Sequence, residues 1–299
     1  MNDVRHLLET RCPGLYAGIE AMLIEAEARF NAENHQAPSE FLLEHTRRTA
    51  AIALRIATLE QVDAFLPVLV ALYHDAGKFF EGEYHKDGVP EEEHAAHLAG
   101  KMLPEFGLPR QDIATVLESL RALYDERLPC VGPCRLVQDA DRLDKLGPLG
   151  VGAFFTKATL RGRGLVDALV QTLTRELTYA VAAPRSMFTA TGRLLAAEQA
   201  PKTIAFFDDL LAQLESWGIA RFERRSVILD EEFRSRDGAV VRGMEVAIAL
   251  PRGCPDCGTA LTLTHRREKG VKCERFIARF HCPACTYASG TSLCLPVIA

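Results

Sequence analysis

Several features that would define a function class are missing from this sequence. No apolar run reaches the ~18 residues that a transmembrane helix needs. The polar residues 1–6 are not followed by the apolar segment of a signal peptide, and no internal repeat or low-complexity tract stands out. We therefore expect a cytoplasmic protein with no membrane partner.

Neither sign of charge dominates the chain as a whole. The formal net charge is -5, which argues against a wholly basic nucleic-acid-binding protein. The distribution is uneven, because residues 251–299 hold seven basic and three acidic side chains, a net +4, and the remainder carries −9. The sequence thus predicts an acidic body and a basic tail.

Cysteine is scarce in most of the chain and concentrated at one end. Six of the nine cysteines lie in the last 49 residues. In a reducing compartment, clustered cysteines bind metal more often than they form disulfides. A length of 299 residues with 48% hydrophobic content indicates two domains, or one large domain with an appendage.

Strand-like alternation is almost absent from about residue 15 to 215, where apolar residues recur every three or four positions. One helix is predicted from Ser39, a good N-cap, to Ile56. A second, from about Gln61 to Ala76, is apolar almost all round and should be buried, with Gly77 at its C-terminal stop. Further helices are predicted near 91–103, 110–124, 134–146, 164–181 and 202–216.

The pattern changes after Trp217. Apolar runs flank Asp237-Gly238, which is typical of a β-hairpin. We therefore predict a mainly α fold, an all-α helical bundle followed by a small β-rich module. The predicted divisions are a helical domain at 1–217, a hairpin connector at 218–250 and a cysteine-rich module at 251–299.

Histidine and aspartate occur at positions where metal binding would explain them. His74 and Asp75 end the buried apolar helix, where burial is costly unless something compensates, and a metal ion would do so. His45 lies on the inward stripe of the preceding helix, and Asp139, Asp141 and Asp144 follow in a later one. Taken singly, each could also be an ordinary core residue or part of a solvated helix face.

Together these segments resemble the HD-domain phosphohydrolase superfamily, an all-α family named for its His-Asp pair. The resemblance covers roughly residues 35–215. Its motifs are Glu44-His45-Thr46-Arg47-Arg48, Leu72-Tyr73-His74-Asp75-Ala76-Gly77-Lys78, Glu93-His94-Ala95-Ala96-His97 and Ala140-Asp141-Arg142-Leu143.

The resemblance implies that His45, His74, Asp75 and Asp141 bind a divalent metal. Asp141 is preferred to Asp139 because residues 140–143 match the family's Ala-Asp-X-Leu, whereas helical spacing alone does not choose between them. Mixed nitrogen and oxygen donors suit Mn, Fe, Co, Ni or Zn more than Ca, and Mg is also considered.

The activity implied by the resemblance is a metal-dependent phosphohydrolase. It would release phosphate or pyrophosphate from nucleotide-like substrates through a metal-activated water, with manganese as a candidate ion. Asp75 would orient the water and Lys78 would contact the phosphate, although Lys78 also suits a helix C-terminus. His94 is a candidate phosphate contact or general acid. Arg142 would pair with phosphate, or equally with Asp139 or a neighbouring glutamate.

Other interpretations stay open. One is a phosphodiesterase that acts on nucleic acid or a cyclic nucleotide, although the Gly-Tyr-Pro extension of the cyclic-di-nucleotide branch is missing. Another is a non-catalytic protein that senses a nucleotide. His85 and His97 are expected at solvated positions, with a second metal site as the alternative.

The tail contains two Cys-x-x-Cys pairs separated by 24 residues, Cys254 with Cys257 and Cys282 with Cys285. Each pair places two thiolates within reach of one tetrahedral ion, and together they resemble a zinc ribbon with a closed, structural Zn site. Iron is a chemical alternative, and a shifted register that uses Cys273 or His281 stays open, while Cys294 is surplus.

The purpose of the ribbon is open as well. Its basic charge permits a nucleic-acid partner, and a protein partner or docking on its own chain is the alternative. Cys130 and Cys134, in a loop rich in proline and glycine, are expected to be structural rather than reactive.

Overall fold

The computed structural model describes residues 2–84, 88–123, 128–234, 240–254, 256–269 and 274–294. The region predicted to be helical, about residues 15–215, consists mainly of α-helices where the structure describes it. Short 3-10 helices lie at Phe80–Gly82 and Leu103–Phe106. The helices are α1 (Asn2–Arg11), α2 (Leu15–Glu33), α3 (Phe41–Leu59), α4 (Phe65–Tyr73), α5 (Glu91–Met102), α6 (Arg110–Ala122), α7 (Pro133–Leu143), α8 (Gly147–Leu160), α9 (Leu165–Ser186) and α10 (Ala190–Ser216).

The chain divides into two compact units. The first is Met1–Asp144 with Phe188–Gly192, and the second is Lys145–Met187 with Arg193–Ala299. The predicted division into 1–217, 218–250 and 251–299 stays a prediction about separate domains. The boundaries of the two compact units differ from the predicted domain boundaries, because α8 and α9 share a hydrophobic core with the hairpin of the second unit.

In the first unit, α4 is the buried central helix that its sequence predicts. Its side chains Val68, Leu69 and Val70 have no exposed surface, and α3 and α7 pack against it. The helix is shorter than predicted, because it ends at Tyr73 and residues 74–79 form turns. His74 and Asp75 therefore lie just after the helix rather than in its last turn.

The start of α3 is capped by a distant residue and not, as predicted, by Ser39. The Glu27 carboxylate of α2 accepts hydrogen bonds from the backbone N–H groups of Phe41 and Leu42, at 3.0 and 2.9 Å. The Ser39 hydroxyl donates to the same carboxylate at 2.6 Å. Ser39 thus helps to hold the cap that Glu27 provides.

Gly77 is needed for a close approach and not for the left-handed conformation of a helix stop. A Cβ at this position would lie 2.0 Å from the carbonyl oxygen of Glu91 and 2.7 Å from the backbone nitrogen of Ala95. The turn that follows His74 and Asp75 can therefore lie directly against the start of α5.

In the second unit, strands β1 (Phe222–Arg234) and β2 (Val240–Pro251) form an antiparallel pair. The Thr174 and Thr178 hydroxyls of α9 lie within hydrogen-bonding distance of the β2 carbonyls of Ala249 and Ala247, at 3.2 and 3.3 Å. The hairpin prediction agrees with this pairing, while Asp237-Gly238 lies outside the described residues. The core between helices and hairpin includes Phe154, Leu173, Phe207, Phe222, Ala247 and Ala249.

The rest of this unit is a three-stranded antiparallel sheet in the order β3 (Thr262–Lys269), β4 (Glu274–His281) and β5 (Ala288–Cys294). Strand β5 also contacts α9. The mainly α fold with a small β-rich cysteine module is thus confirmed. Within the described residues, none of the helices combines the length and apolarity that a membrane span requires.

The Gly77 contact predicts a stability effect. Gly77→Ala should lower the free energy of unfolding by about 1–3 kcal/mol, because the added methyl group overlaps the backbone of α5. Gly152→Ala is the matched control, since a Cβ on that α8 residue meets nothing within 4 Å, and it should stabilise by roughly 0.5–1 kcal/mol. Urea unfolding monitored by circular dichroism measures both. Equal stability of the Gly77→Ala protein and the wild type would refute the close-approach explanation.

Candidate metal centres

His74 is positioned by the turn that ends α4. Its side chain has no exposed surface, and its Nδ1 lies 2.7 Å from the carbonyl oxygen of Ala71. A carbonyl only accepts, so Nδ1 carries the hydrogen and donates it. The other ring nitrogen, Nε2, is then left with a lone pair.

His45 reaches the same point from the inward face of α3. Its Nδ1 lies 2.8 Å from Oδ2 of Asp144, which is 2% exposed. Burial itself raises the pKa of Asp144, but hydrogen bonds from His45 and Arg48 lower it below its usual value. The carboxylate is therefore ionised and accepts the Nδ1 hydrogen, so the Nε2 of His45 also carries a lone pair.

The two lone pairs face each other. The Nε2 atoms of His45 and His74 are 3.2 Å apart, and Oδ1 of Asp141 lies 3.4 Å from the Nε2 of His45. One ligand atom from each of the three residues lies within 4.8 Å of the others. Three acceptors at this separation repel one another unless a cation or a proton lies among them, so the donor set fits a divalent metal ion.

The electrostatics around the rings agree with a cation site. Burial lowers the pKa of His74 below its usual value. Burial would also lower the pKa of His45, but the neighbouring carboxylates of Asp141, Asp144 and Asp75 favour its protonated form and raise that pKa above its usual value. The carboxylates therefore attract positive charge to the space between the two rings.

Asp75 lies beside this cluster and also contacts Lys78. Its Oδ2 is 3.5 Å from the Nε2 of His45 and pairs with the Lys78 ammonium. Burial raises the pKa of Asp75, yet the charges of Lys78 and the two histidines lower it well below its usual range. Asp75 thus stays ionised, and the predicted Lys78 cation is directed at the site.

Asp139 has a different task from Asp141. Its carboxylate accepts hydrogen bonds from the backbone N–H groups of Phe188 and Thr189 and from the Thr189 hydroxyl, each at 2.8 Å. It therefore holds the segment that precedes α10, in which the Thr189 hydroxyl accepts the N–H of Gly192 at 2.8 Å and caps that helix. The spacing in the sequence left the two aspartates undecided, and the structure places Asp141 with the histidines.

His94 and Arg142 lie on neighbouring elements. The His94 ring stacks on Phe80 with centroids 4.2 Å apart, and Arg142 lies over the Phe188 ring at 6.0 Å. Burial raises the pKa of Asp139 above its usual value, and the hydrogen bonds from Phe188 and Thr189 and the nearby Arg142 charge oppose this. Arg142 thus acts electrostatically on Asp139, while the pairing of the two and the phosphate roles of His94 and Arg142 stay predictions.

Two carboxyl groups near the site, those of Asp144 and Glu91, were not assigned to it from the sequence. Asp144 orients His45, and its position three residues after Asp141, on the same side of α7, was the available signal. Burial raises the pKa of Glu91, at the start of α5, to about 7, although the nearby Lys78 charge opposes this. No sequence pattern singles out Glu91, because its environment depends on the packing of α5 against the 74–79 turns.

The family comparison covers the segment that contains these residues. The HD domain family matches residues 42–146, from α3 through α7. Residues 42–146 form an HD domain.

Solved structures that are similar to this chain include the following three. A protein described as a predicted HD superfamily hydrolase, from an uncultured Thermotogales bacterium, is 25% identical over 69% of this chain and 96% of that chain, with a TM-score of 0.49. Bacillus subtilis YpgQ in complex with ADP is 24% identical over 57% and 87%, with a TM-score of 0.45. An HD-superfamily hydrolase from Bacillus thuringiensis is 20% identical over 68% and 98%, with a TM-score of 0.46. No curated protein matches the sequence.

An HD domain implies divalent metal binding. His45, His74 and Asp141 could hold the ion, with Asp75 beside them. His97 is exposed on α5, as predicted, and His85 lies outside the described residues.

The second centre lies in the cysteine module. The sulfurs of Cys254, Cys257, Cys282 and Cys285 all lie within 4.8 Å of one another. The Cys254–Cys285 and Cys257–Cys282 pairs are each 3.5 Å apart. A zinc ion with Zn–S bonds of about 2.3 Å holds its sulfurs about 3.8 Å apart, so the four thiolates fit a tetrahedral Zn site.

Backbone geometry shapes both Cys-x-x-Cys turns. The N–H groups of Asp256 and Ala284 point at the sulfurs of Cys254 and Cys282, each at 3.4 Å. Such donors stabilise a thiolate. Gly258 closes the first turn with φ 74, a conformation that favours glycine.

The alternative zinc ligands, the other cysteine pair and the basic residues of the sheet are not part of the four-sulfur cluster. His281 is exposed at the end of β4, while Cys273 lies outside the described residues. Cys130 and Cys134 form a disulfide, which agrees with the structural role predicted for them. Arg266 and Arg279 are exposed on the sheet, and a nucleic-acid or protein partner for them stays a prediction.

Removing two of the thiolates should release the ribbon metal. The Cys254→Ser/Cys257→Ser double variant should lose about one zinc per chain, because two of four ligands are gone. Cys12→Ser, a buried cysteine outside the cluster, should keep it, as should His74→Ala. Elemental analysis of the purified full-length chains measures this. Unchanged zinc in the double variant, or iron in its place, would contradict the assignment.

Proposed function

We propose that this protein is a metal-dependent phosphohydrolase that acts on nucleotide-like phosphate or pyrophosphate esters. One observation carries the proposal, namely the convergence of the His45 and His74 Nε2 lone pairs with the Asp141 carboxylate inside an HD domain. The HD domain supports a metal-dependent phosphohydrolase in general. The nucleotide-like substrate is the finer part of the proposal.

His45, His74 and Asp141, with Asp75, would hold the divalent ion. When bound, such an ion supplies positive charge against a phosphate and makes a water molecule a better proton donor. Asp75 is ionised and lies at the edge of the cluster, so it can accept a hydrogen bond from the attacking water and orient it. Its own position is held by Lys78.

Lys78 supplies a second positive charge. Its side chain is 23% exposed, and its ammonium pairs with the Asp75 carboxylate. Burial lowers the pKa of Lys78, but the Asp75 charge outweighs this and raises it above its usual value. The ammonium is therefore permanently charged and suited to a phosphate oxygen.

Aromatic rings next to Lys78 support a substrate that carries an aromatic base. Phe79 stacks on Phe30 with centroids 4.2 Å apart, and Tyr84 lies 6.1 Å from Phe79 with 48% of its surface exposed. Tyr84 also acts electrostatically on Lys78. A phosphate near Lys78 would thus lie close to rings on which a nucleobase can stack.

A substrate panel tests the proposal. Full-length protein with Mn²⁺ should release phosphate or pyrophosphate from at least one nucleoside mono-, di- or triphosphate. His74→Ala should lower the rate more than about 100-fold, because loss of a ligand should exceed the 10–100-fold effect of an outer partner. His6→Ala, which removes an exposed histidine of α1, is the control and should keep full activity.

Product analysis separates the alternatives. Cleavage of a linear dinucleotide, with no hydrolysis of the nucleotides, would replace the proposed substrate by a phosphodiester. Mn²⁺ binding by the wild type without hydrolysis of any substrate in the panel would refute the enzyme assignment.

A further inference from the structure

A repeated spacing links α3 and α7 at the metal site. His45 is followed three residues later by Arg48, and Asp141 is followed three residues later by Asp144. Residues three apart lie on the same side of a helix. Each helix therefore presents one donor to the cluster and, one turn later, a second charged residue on the same side.

The two second residues contact each other. Arg48 donates from Nε to Oδ1 of Asp144 at 2.7 Å and from Nη2 to Oδ2 at 3.0 Å. The same Oδ2 accepts the Nδ1 hydrogen of His45 at 2.8 Å. The guanidinium fork thus fixes the plane of a carboxylate that is 2% exposed, and that carboxylate fixes the imidazole.

Orientation matters because neutral imidazole has two tautomers. Only the form with hydrogen on Nδ1 leaves Nε2 free to bind a cation. In His74 a backbone carbonyl, that of Ala71, selects this tautomer, because a carbonyl can only accept the Nδ1 hydrogen. His45 depends on a side chain, and that side chain depends on Arg48.

We propose that Arg48 is a positioning residue for the HD metal site, acting through Asp144 to hold His45 in its metal-binding tautomer. The proposal rests on the metal site of the proposed function, but not on any substrate. Arg48 touches neither the cluster atoms nor, by this assignment, the substrate.

The chain provides a matched control in the preceding residue, Arg47. Arg47 is also on α3 and its side chain is 25% exposed, against 21% for Arg48, but its guanidinium pairs with Glu20. Arg47→Gln removes the same charge and a comparable ion pair. Any effect that depends on helix stability or net charge alone should therefore appear equally in both variants.

Calorimetric titration of the metal-free HD site with Mn²⁺ is the first measurement, made on the full-length chain with its ribbon intact. Asp144→Asn should weaken Mn²⁺ binding by about 10–100-fold, the usual effect of losing such a partner. Arg48→Gln should weaken it on the order of tenfold, Arg48→Lys by less, and Arg47→Gln not at all. The Arg48→Gln/Asp144→Asn double variant should equal Asp144→Asn within about twofold, because both act on one path.

Nitrogen-15 NMR of histidine-labelled protein is the second measurement, and it reads the tautomer directly. His45, assigned by its loss in His45→Ala, should carry its hydrogen on Nδ1 in the wild type. The Nε2-protonated form should appear in Arg48→Gln and Asp144→Asn, but not in Arg47→Gln. A purely structural role for Arg48 would leave the tautomer unchanged.

Two results would overturn the proposal. One is equal loss of Mn²⁺ affinity in Arg47→Gln and Arg48→Gln, and the other is an unchanged His45 tautomer in Arg48→Gln, whatever the result for Asp144→Asn. Failure of the metal site itself looks different, since His45→Ala would then bind Mn²⁺ as tightly as the wild type. Failure of the substrate assignment would leave all these measurements unaffected.

Discussion

The approach of two imidazole nitrogens is the constraint on which the HD domain depends. His45 and His74 each donate the Nδ1 hydrogen to an acceptor on the far side of the ring, so their Nε2 lone pairs meet at 3.2 Å. This arrangement is repulsive without positive charge between the rings. The buried carboxylates around it, above all Asp141, supply the negative potential that attracts a cation. The packing of α3, α4 and α7 holds the groups together.

The two candidate centres differ in how many coordination positions of a bound ion the protein itself would fill. Four thiolates surround one point in the cysteine module, so an ion there would have all its positions filled by protein and would act structurally. The HD cluster brings three donors together, with Asp75 and Lys78 beside them. An ion held by these donors would keep coordination positions for water and substrate, as the proposed hydrolysis requires.

Patterns that depend on near neighbours in the chain were readable from the sequence. The apolar run of α4 predicted a buried helix, and the spacing of Cys254 and Cys257 predicted a metal turn. Contacts between distant segments were not readable. Glu27 caps α3 from 14 residues away, and Asp144 reaches His45 across 99 residues. The Ser39 cap and the helix stop at Gly77 were therefore wrong in detail, since each assumed that a local signal acts locally.

The sequence by itself determined the mainly helical body, the metal-binding types of its side chains and the basic cysteine tail, because these follow from composition and short spacings. Spacing did not separate Asp139 from Asp141, and only the family motif favoured Asp141. The tertiary structure shows their contacts, because Asp139 holds the segment before α10 and Asp141 joins the histidines. Two carboxylates two residues apart are chemically identical in the sequence. Their tasks differ because the packing of α7 directs one to backbone N–H groups and the other to imidazole nitrogens.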